Sequence, residues 1–184
     1  DQWAQILKLE IIKKYPSLNF PSKKFKYVNT IDVDSAYLYL EKGIVRTLGA
    51  SLIDLMLLNY SNLFKRFRVI LGLEKDPYDT FRYILTVSKK YNLNTMFFFL
   101  LGDYSKYDKS ISFSSKKLQS IIKLINDYFC VGLHPSFKSI SDNNSLLKEL
   151  ERLQEIVHQK VIHSRQHYIK LDIPNMYKNL LKTS

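Results

Sequence analysis

A chain of 184 residues with 46% hydrophobic and 24% charged residues is long enough to bury one sizeable core, which excludes an intrinsically disordered polymer. Five Gly and five Pro exclude a collagen-like or low-complexity segment, and one Cys excludes an intrachain disulfide and a cysteine zinc site. Lys and Arg outnumber Asp and Glu by 28 to 17, a formal net charge of +11, compatible with nucleic acid, anionic lipid or anionic glycan partners. The basic residues are scattered as short pairs, however, which fits an ordinary basic surface equally well.

The first element is a short helix over residues 1–15, with Trp3, Ile6, Leu7, Ile11 and Ile12 at helical spacing. Pro16 ends it, and residues 16–26 form a Lys-rich connector. The stretch Tyr27–Ser35 then reads as a strand that stops in two carboxylates, Asp32 and Asp34. A period of two puts both on one face. Like charges at a buried strand end need a cation or hydrogen bonds in compensation; the plainer alternative is a solvated acidic turn.

Ile44–Leu73 keeps helical spacing through Leu48, Leu52, Leu55, Met56 and Leu63. Its longest uncharged run is too short for a transmembrane span. It is expected to be a core-packed helix or helical hairpin, or else an interfacial helix with a basic end at Lys65–Arg68. Asp76-Pro77-Tyr78-Asp79 should open the next helix, running to about Lys90 and burying Phe81, Ile84 and Leu85. Thr95–Leu101 is apolar on both faces, as expected of a covered strand in a parallel sheet.

A helix at 115–128 follows, then a strand Phe129–Leu133 holding Cys130 as a small buried hydrophobe, then a helix at 145–158. A last short strand, Val161–Ser164, precedes a final helix near 175–182, opened by Ile173-Pro174. His158 and His163 read as an exposed helix residue and a strand residue. Four strands alternating with helices argue for a single α/β domain with parallel strands.

Chemically capable residues fall at the strand ends: Asp32 and Asp34, Asp103, His134, then Arg165 and His167. The carboxyl edge of such a sheet is where sites assemble. Asp, His and His form a ligand set suited to a divalent zinc-like ion, with cobalt or nickel as alternatives. A metal held by Asp34 and His134 would lower the pKa of water towards ~7, Asp32 would take its proton, and Arg165 would hold Asp32 ionised. That suits hydrolysis of an amide or ester. The phosphate-loop, G-x-S-x-G and HExxH patterns are absent.

Thr30-Ile31-Asp32-Val33-Asp34 resembles the first motif of polysaccharide deacetylases, the NodB-homology type of carbohydrate esterase family 4, in its Asp-x-Asp subgroup. Gly132-Leu133-His134-Pro135-Ser136 resembles the second motif, and Ser164-Arg165-Gln166-His167-Tyr168 stands where the third supplies an Arg. The resemblance spans residues 27–181. It implies a distorted (β/α) barrel with a helical insertion after the first strand, and removal of an N- or O-acetyl group from a carbohydrate. By resemblance Asp32 is the base, Asp34 and His134 bind metal, and Arg165 orients the base. The family's second metal His is replaced by Lys138, so His167 becomes the candidate third ligand, with Ser139 through water as an alternative and a surface or supporting role for His167 equally open.

The chain begins at Asp1 without Met and is expected to be a fragment, with the family's later motifs beyond Ser184 and the barrel about half complete. No signal peptide is visible, which leaves cytoplasmic and envelope-associated locations open. The alternatives to a deacetylase are a catalytically weakened glycan-binding relative, and a basic module bound to a membrane surface or nucleic acid. The expected partner is a carbohydrate, including an anionic envelope glycan, rather than nucleic acid.

Overall fold

The computed structural model describes residues 2–21 and 24–182; positions 22 and 23 of the expected connector and both chain ends lie outside this range. The sheet holds β1 (Asn29–Val33), β2 (Thr95–Phe99) and β3 (Cys130–Leu133), all parallel, in the order β1-β2-β3. The helices are α1 (Gln2–Lys14), α2 (Ile44–Met56), α3 (Tyr60–Ile70), α4 (Phe81–Lys90), α5 (Lys116–Asn126), α6 (Asn143–Val157) and α7 (Asn175–Lys182).

Three strands in an open sheet are too few to close a barrel, so the expected (β/α) barrel is corrected to a small open α/β sheet. The difference lies in the fourth expected strand. Residues 161–164 run beside β3 but form one isolated parallel bridge, Leu133 to Ser164. The Leu133 N–H donates to the His163 carbonyl, and the Arg165 N–H donates to the Leu133 carbonyl. Beyond that point Tyr168 and Ile169 take positive φ, which turns the chain out of extended geometry.

Period-two alternation assigns the two sheet faces. Val33, Phe97, Phe99, Val131 and Leu133 belong to the core with Ile122 and Ile125 of α5 and Leu153 of α6. The apolar stripes of both helices supply these residues at 3–4 spacing. Ser115 caps α5 by accepting the Leu118 N–H, and Asp142 caps α6 by accepting from Asn144 and Ser145. On the other sheet face Phe98 lies over Gly132. A Cβ at Gly132 would stand 2.6 Å from the Phe98 ring and 2.8 Å from the His163 carbonyl, so only glycine lets that segment approach.

Three local expectations are corrected. Asp76 does not open a helix. Its buried carboxylate accepts the backbone N–H groups of Leu38, Tyr39 and Leu40, besides that of Tyr78, and α4 begins later, at Phe81. Four donated hydrogen bonds outweigh the burial that raises its pKa, which ends below the ordinary carboxylate value. Cys130, at the start of β3, is exposed rather than buried. Finally, Ile44–Leu73 forms a helical hairpin, α2–α3, but the stripe expected to face a core faces outward: Leu48, Leu52 and Met56 are exposed.

Candidate metal centre

The register of the sheet aligns Val33, Phe99 and Leu133. The next residue on the first and third strands is therefore a site residue: Asp34 after β1 and His134 after β3. Asp34 lies just past the end of β1, at a bend, with Val33 before it pointing into the core. The His134 N–H donates to the Phe99 carbonyl, which continues the β2–β3 ladder one step further and fixes the His134 backbone.

The segment after the isolated bridge is stitched onto the loop that follows His134. The His167 N–H donates to the Pro135 carbonyl, and the Gln166 side-chain amide donates to the carbonyls of Pro135 and Ser136 at 2.9 Å. These bonds place the two imidazoles 5.0 Å apart, centre to centre. Both are buried, whereas the Asp34 side chain between them is 63% exposed.

Each imidazole is held at Nδ1 and offers Nε2. His134 Nδ1 lies 2.5 Å from the Arg165 carbonyl, and His167 Nδ1 lies 2.9 Å from Asp108 Oδ1. Both partners accept, so each Nδ1 carries a proton, and Nε2 is the nitrogen of each ring that an ion would take in place of a proton. The Nε2 atoms face one oxygen, Asp34 Oδ1, at 3.2 Å from His134 and 3.7 Å from His167. Ligand atoms of Asp34, His134 and His167 all fall within 4.8 Å of one another, a group able to hold a metal ion. A neutral imidazole oriented through its far nitrogen, by a carbonyl or a carboxylate, is how ligating histidines are commonly supported. The residues thus fit a divalent ion, and the exposure of Asp34 keeps one side open.

The electrostatics agree with this arrangement. The His134 hydrogen bond lowers the Asp34 pKa, and the nearby His167 adds to the effect, against a smaller upward push from burial. Burial opposes charge on His134, yet its bonds to Asp34 and the Arg165 carbonyl, with the charges of Asp32 and Asp34, outweigh that and leave its pKa raised. The site attracts positive charge, as a cation centre must.

Asp32 stands beside the cluster. Arg165 reaches its two carboxylate oxygens with one nitrogen at 3.4 and 3.5 Å, a loose pair rather than a bidentate fork. The guanidinium also lies over the Phe98 ring. Asp103, expected at the same edge, belongs elsewhere: it binds Arg152 of α6 at 2.6 Å and Lys148 at 3.1 Å. Lys138, at the family's second His position, is engaged with Asp142. Ser139 is buried and donates to the Ser136 carbonyl, inside a short 3-10 turn. His158 ends α6 in an exposed left-handed position, and His163 lies exposed beside β3, both away from the cluster.

Sequence reasoning missed Asp108, Glu149 and an aromatic wall. Asp108 is fully buried and uses one oxygen for both the His167 ring and the Phe137 N–H. Glu149 of α6 accepts the Ser136 N–H and hydroxyl beneath the same loop. Tyr107, Phe137 and Tyr168 pack together beside His167, with the exposed Tyr168 ring 4.3 Å from the imidazole. A single acid in a loop or on a helix, and isolated aromatics in polar loops, carry no pattern that would have marked them. No family model, curated protein or solved structure matches the chain. The likeness to polysaccharide deacetylases therefore rests on short sequence stretches and their order alone.

Proposed function

We propose that the chain is a metal-dependent hydrolase that removes acetyl groups from a polysaccharide or amino sugar of the cell envelope. The observation that carries this reading is the pair of imidazoles, each held at Nδ1 and each presenting Nε2 to Asp34. Asp34, His134 and His167 would hold the ion, and the mixed nitrogen and oxygen donors favour zinc, with cobalt or nickel next. A divalent ion supplies Lewis acidity there, making water nucleophilic near neutral pH.

The chain's own residues supply the rest. Asp32 would take the proton from the attacking water and pass it towards the leaving group. Arg165 fixes the carboxylate from one side while keeping its own carbonyl on His134, so one residue ties the base to the ligand shell. Tyr168 offers an exposed aromatic face next to His167, suited to the apolar face of a sugar ring. The excess of positive charge favours an anionic glycan.

The test is elemental analysis of the purified chain together with acetate release from an acetylated chitooligosaccharide. Near-stoichiometric metal and chelator-sensitive acetate release, both lost in Asp34→Ala and His134→Ala, are expected. Failure to retain metal after incubation with excess zinc would overturn the reading.

A further inference from the structure

An ordinary surface helix turns its apolar stripe inward, and α2 does the reverse. Its buried residues are Ser51 and Asp54, with Arg46, Thr47 and Ala50 partly covered on the same side. Polar contacts hold this inner side. Asp54 pairs with Arg66 of α3 at 2.5 Å, both side chains being nearly buried. Arg46 donates to the Ser110 carbonyl at 3.0 Å and lies over the Tyr104 ring.

The outer side is Ile44, Val45, Leu48, Leu52, Leu55 and Met56, spaced along one helical face, with exposures of 85% at Val45 and 74% at Met56. Leu57 and Leu58 prolong it through the turn into α3. Nothing among the described residues covers this face. The arrangement is built rather than accidental, because turning α2 over would expose the Asp54–Arg66 pair and bury nothing polar in exchange.

We propose that the outer face of the α2–α3 hairpin docks on an anionic lipid bilayer, lying in the interface without crossing it. No helix among the described residues is long and apolar enough to span a membrane. Charge decides among the occupants an apolar face could take. Of the hairpin's cations, Arg46 and Arg66 are engaged on the inner side, Arg68 lies 3.5 Å from Glu74 with most of its side chain exposed, and Lys65 adds a fourth; the whole chain carries +11. An anionic surface is attracted by that charge, whereas a second copy would bring another +11 against it. Aliphatic residues on one side with cations at the flank are the features of helices that lie in the headgroup region.

The experiment is co-sedimentation of the full 184-residue chain with vesicles of phosphatidylcholine mixed with phosphatidylglycerol, against vesicles of phosphatidylcholine alone. Binding to the mixed vesicles that falls as salt rises is expected. Leu52→Glu with Met56→Glu, at exposed positions that leave the inner face intact, should weaken binding by about a hundredfold or more. Lys65→Glu with Arg68→Glu should weaken it by about tenfold and flatten the salt dependence. No binding to mixed vesicles, or equal binding by the Leu52→Glu, Met56→Glu variant, would overturn the proposal. So would a concentration-dependent dimer in sedimentation equilibrium that this variant dissolves, since the face would then belong to a second copy. None of these readouts depends on metal or hydrolysis, so the proposal stands or falls apart from the proposed function.

Discussion

Two carboxylates follow strands of this sheet, Asp34 directly after β1 and Asp103 four residues after β2, and they have opposite surroundings. Asp103, after β2, is answered by the protein itself through the guanidinium of Arg152 and the ammonium of Lys148. Asp34, after β1, is equally exposed, and its neighbours are the Nε2 atoms of two imidazoles. Asp103 ties α6 to the sheet and needs nothing more. Asp34 instead joins two imidazoles in a group of three side chains able to hold a metal ion. Position at the carboxyl edge is therefore not enough to make a site; the identity of the side chains facing the carboxylate decides it.

The largest effect that would break this contrast is loss of metal. Each of Asp34→Ala and His134→Ala should reduce metal affinity by roughly a thousandfold, since one protein ligand accounts for a few of the ~10–16 kcal/mol that such sites supply. Asp103→Ala, measured by the same competition titration, should leave metal affinity unchanged while lowering stability, because buried Arg152 loses its carboxylate partner and keeps only the Leu101 carbonyl. Metal loss in the Asp103 variant would abolish the distinction.

Asp76 sharpens the comparison as a carboxylate satisfied wholly by backbone. Asp76→Ala would leave the N–H groups of Leu38, Tyr39 and Leu40 without their acceptor, and should cost about 3 kcal/mol or more in urea unfolding. An effect below about 1 kcal/mol would mean that water replaces the carboxylate there.

Glu149 contrasts with both, because burial raises its pKa to about 7 against the pull of the Ser136 donors. A raised acid favours folding while it is protonated, so this contribution is present below its ordinary 4.5 and lost as pH climbs through about 7. The two values differ by an amount worth up to about 3 kcal/mol. Glu149→Gln should remove that loss, so the difference in unfolding free energy between variant and parent should grow in favour of the variant from pH 4.5 to 8. A constant difference across that range would show that Glu149 ionises freely in the fold.

The smallest effect concerns the support of His167. Asp108→Asn keeps an acceptor for the ring but removes the charge behind it, and should weaken metal binding by about ten- to a hundredfold. If affinity is unchanged, the Asp108 carboxylate serves only to fix the Phe137 loop.

Much of the site could be read from the chain, because the residue types that bind metal stood at the ends of apolar runs. Asp34, His134 and His167 meet as those ends suggested. Asp103 failed the same rule, since the arginine that claims it lies 49 residues away on α6. The barrel failed because Val161–Ser164 has strand composition but makes one bridge before the chain turns. A stretch of four residues cannot announce how many hydrogen bonds it will find. The stripe of α2 was periodic in the sequence, but periodicity marks an apolar face without saying what it meets, and here the inner side is claimed by Asp54 and Arg66.

By itself the sequence determined the parallel α/β alternation, the positions of the helices within a few residues, and the ligand types at the strand ends. These follow from local rules: side-chain period, caps, and the chemistry of single residues. Only the tertiary structure decided that the sheet stays open at three strands, that Asp108 and the Arg165 carbonyl orient the two imidazoles, and that the apolar face of α2 points outward. Each of these is a pairing between residues distant in the chain, made by packing and hydrogen-bond geometry, and such pairings leave no periodic trace in one sequence.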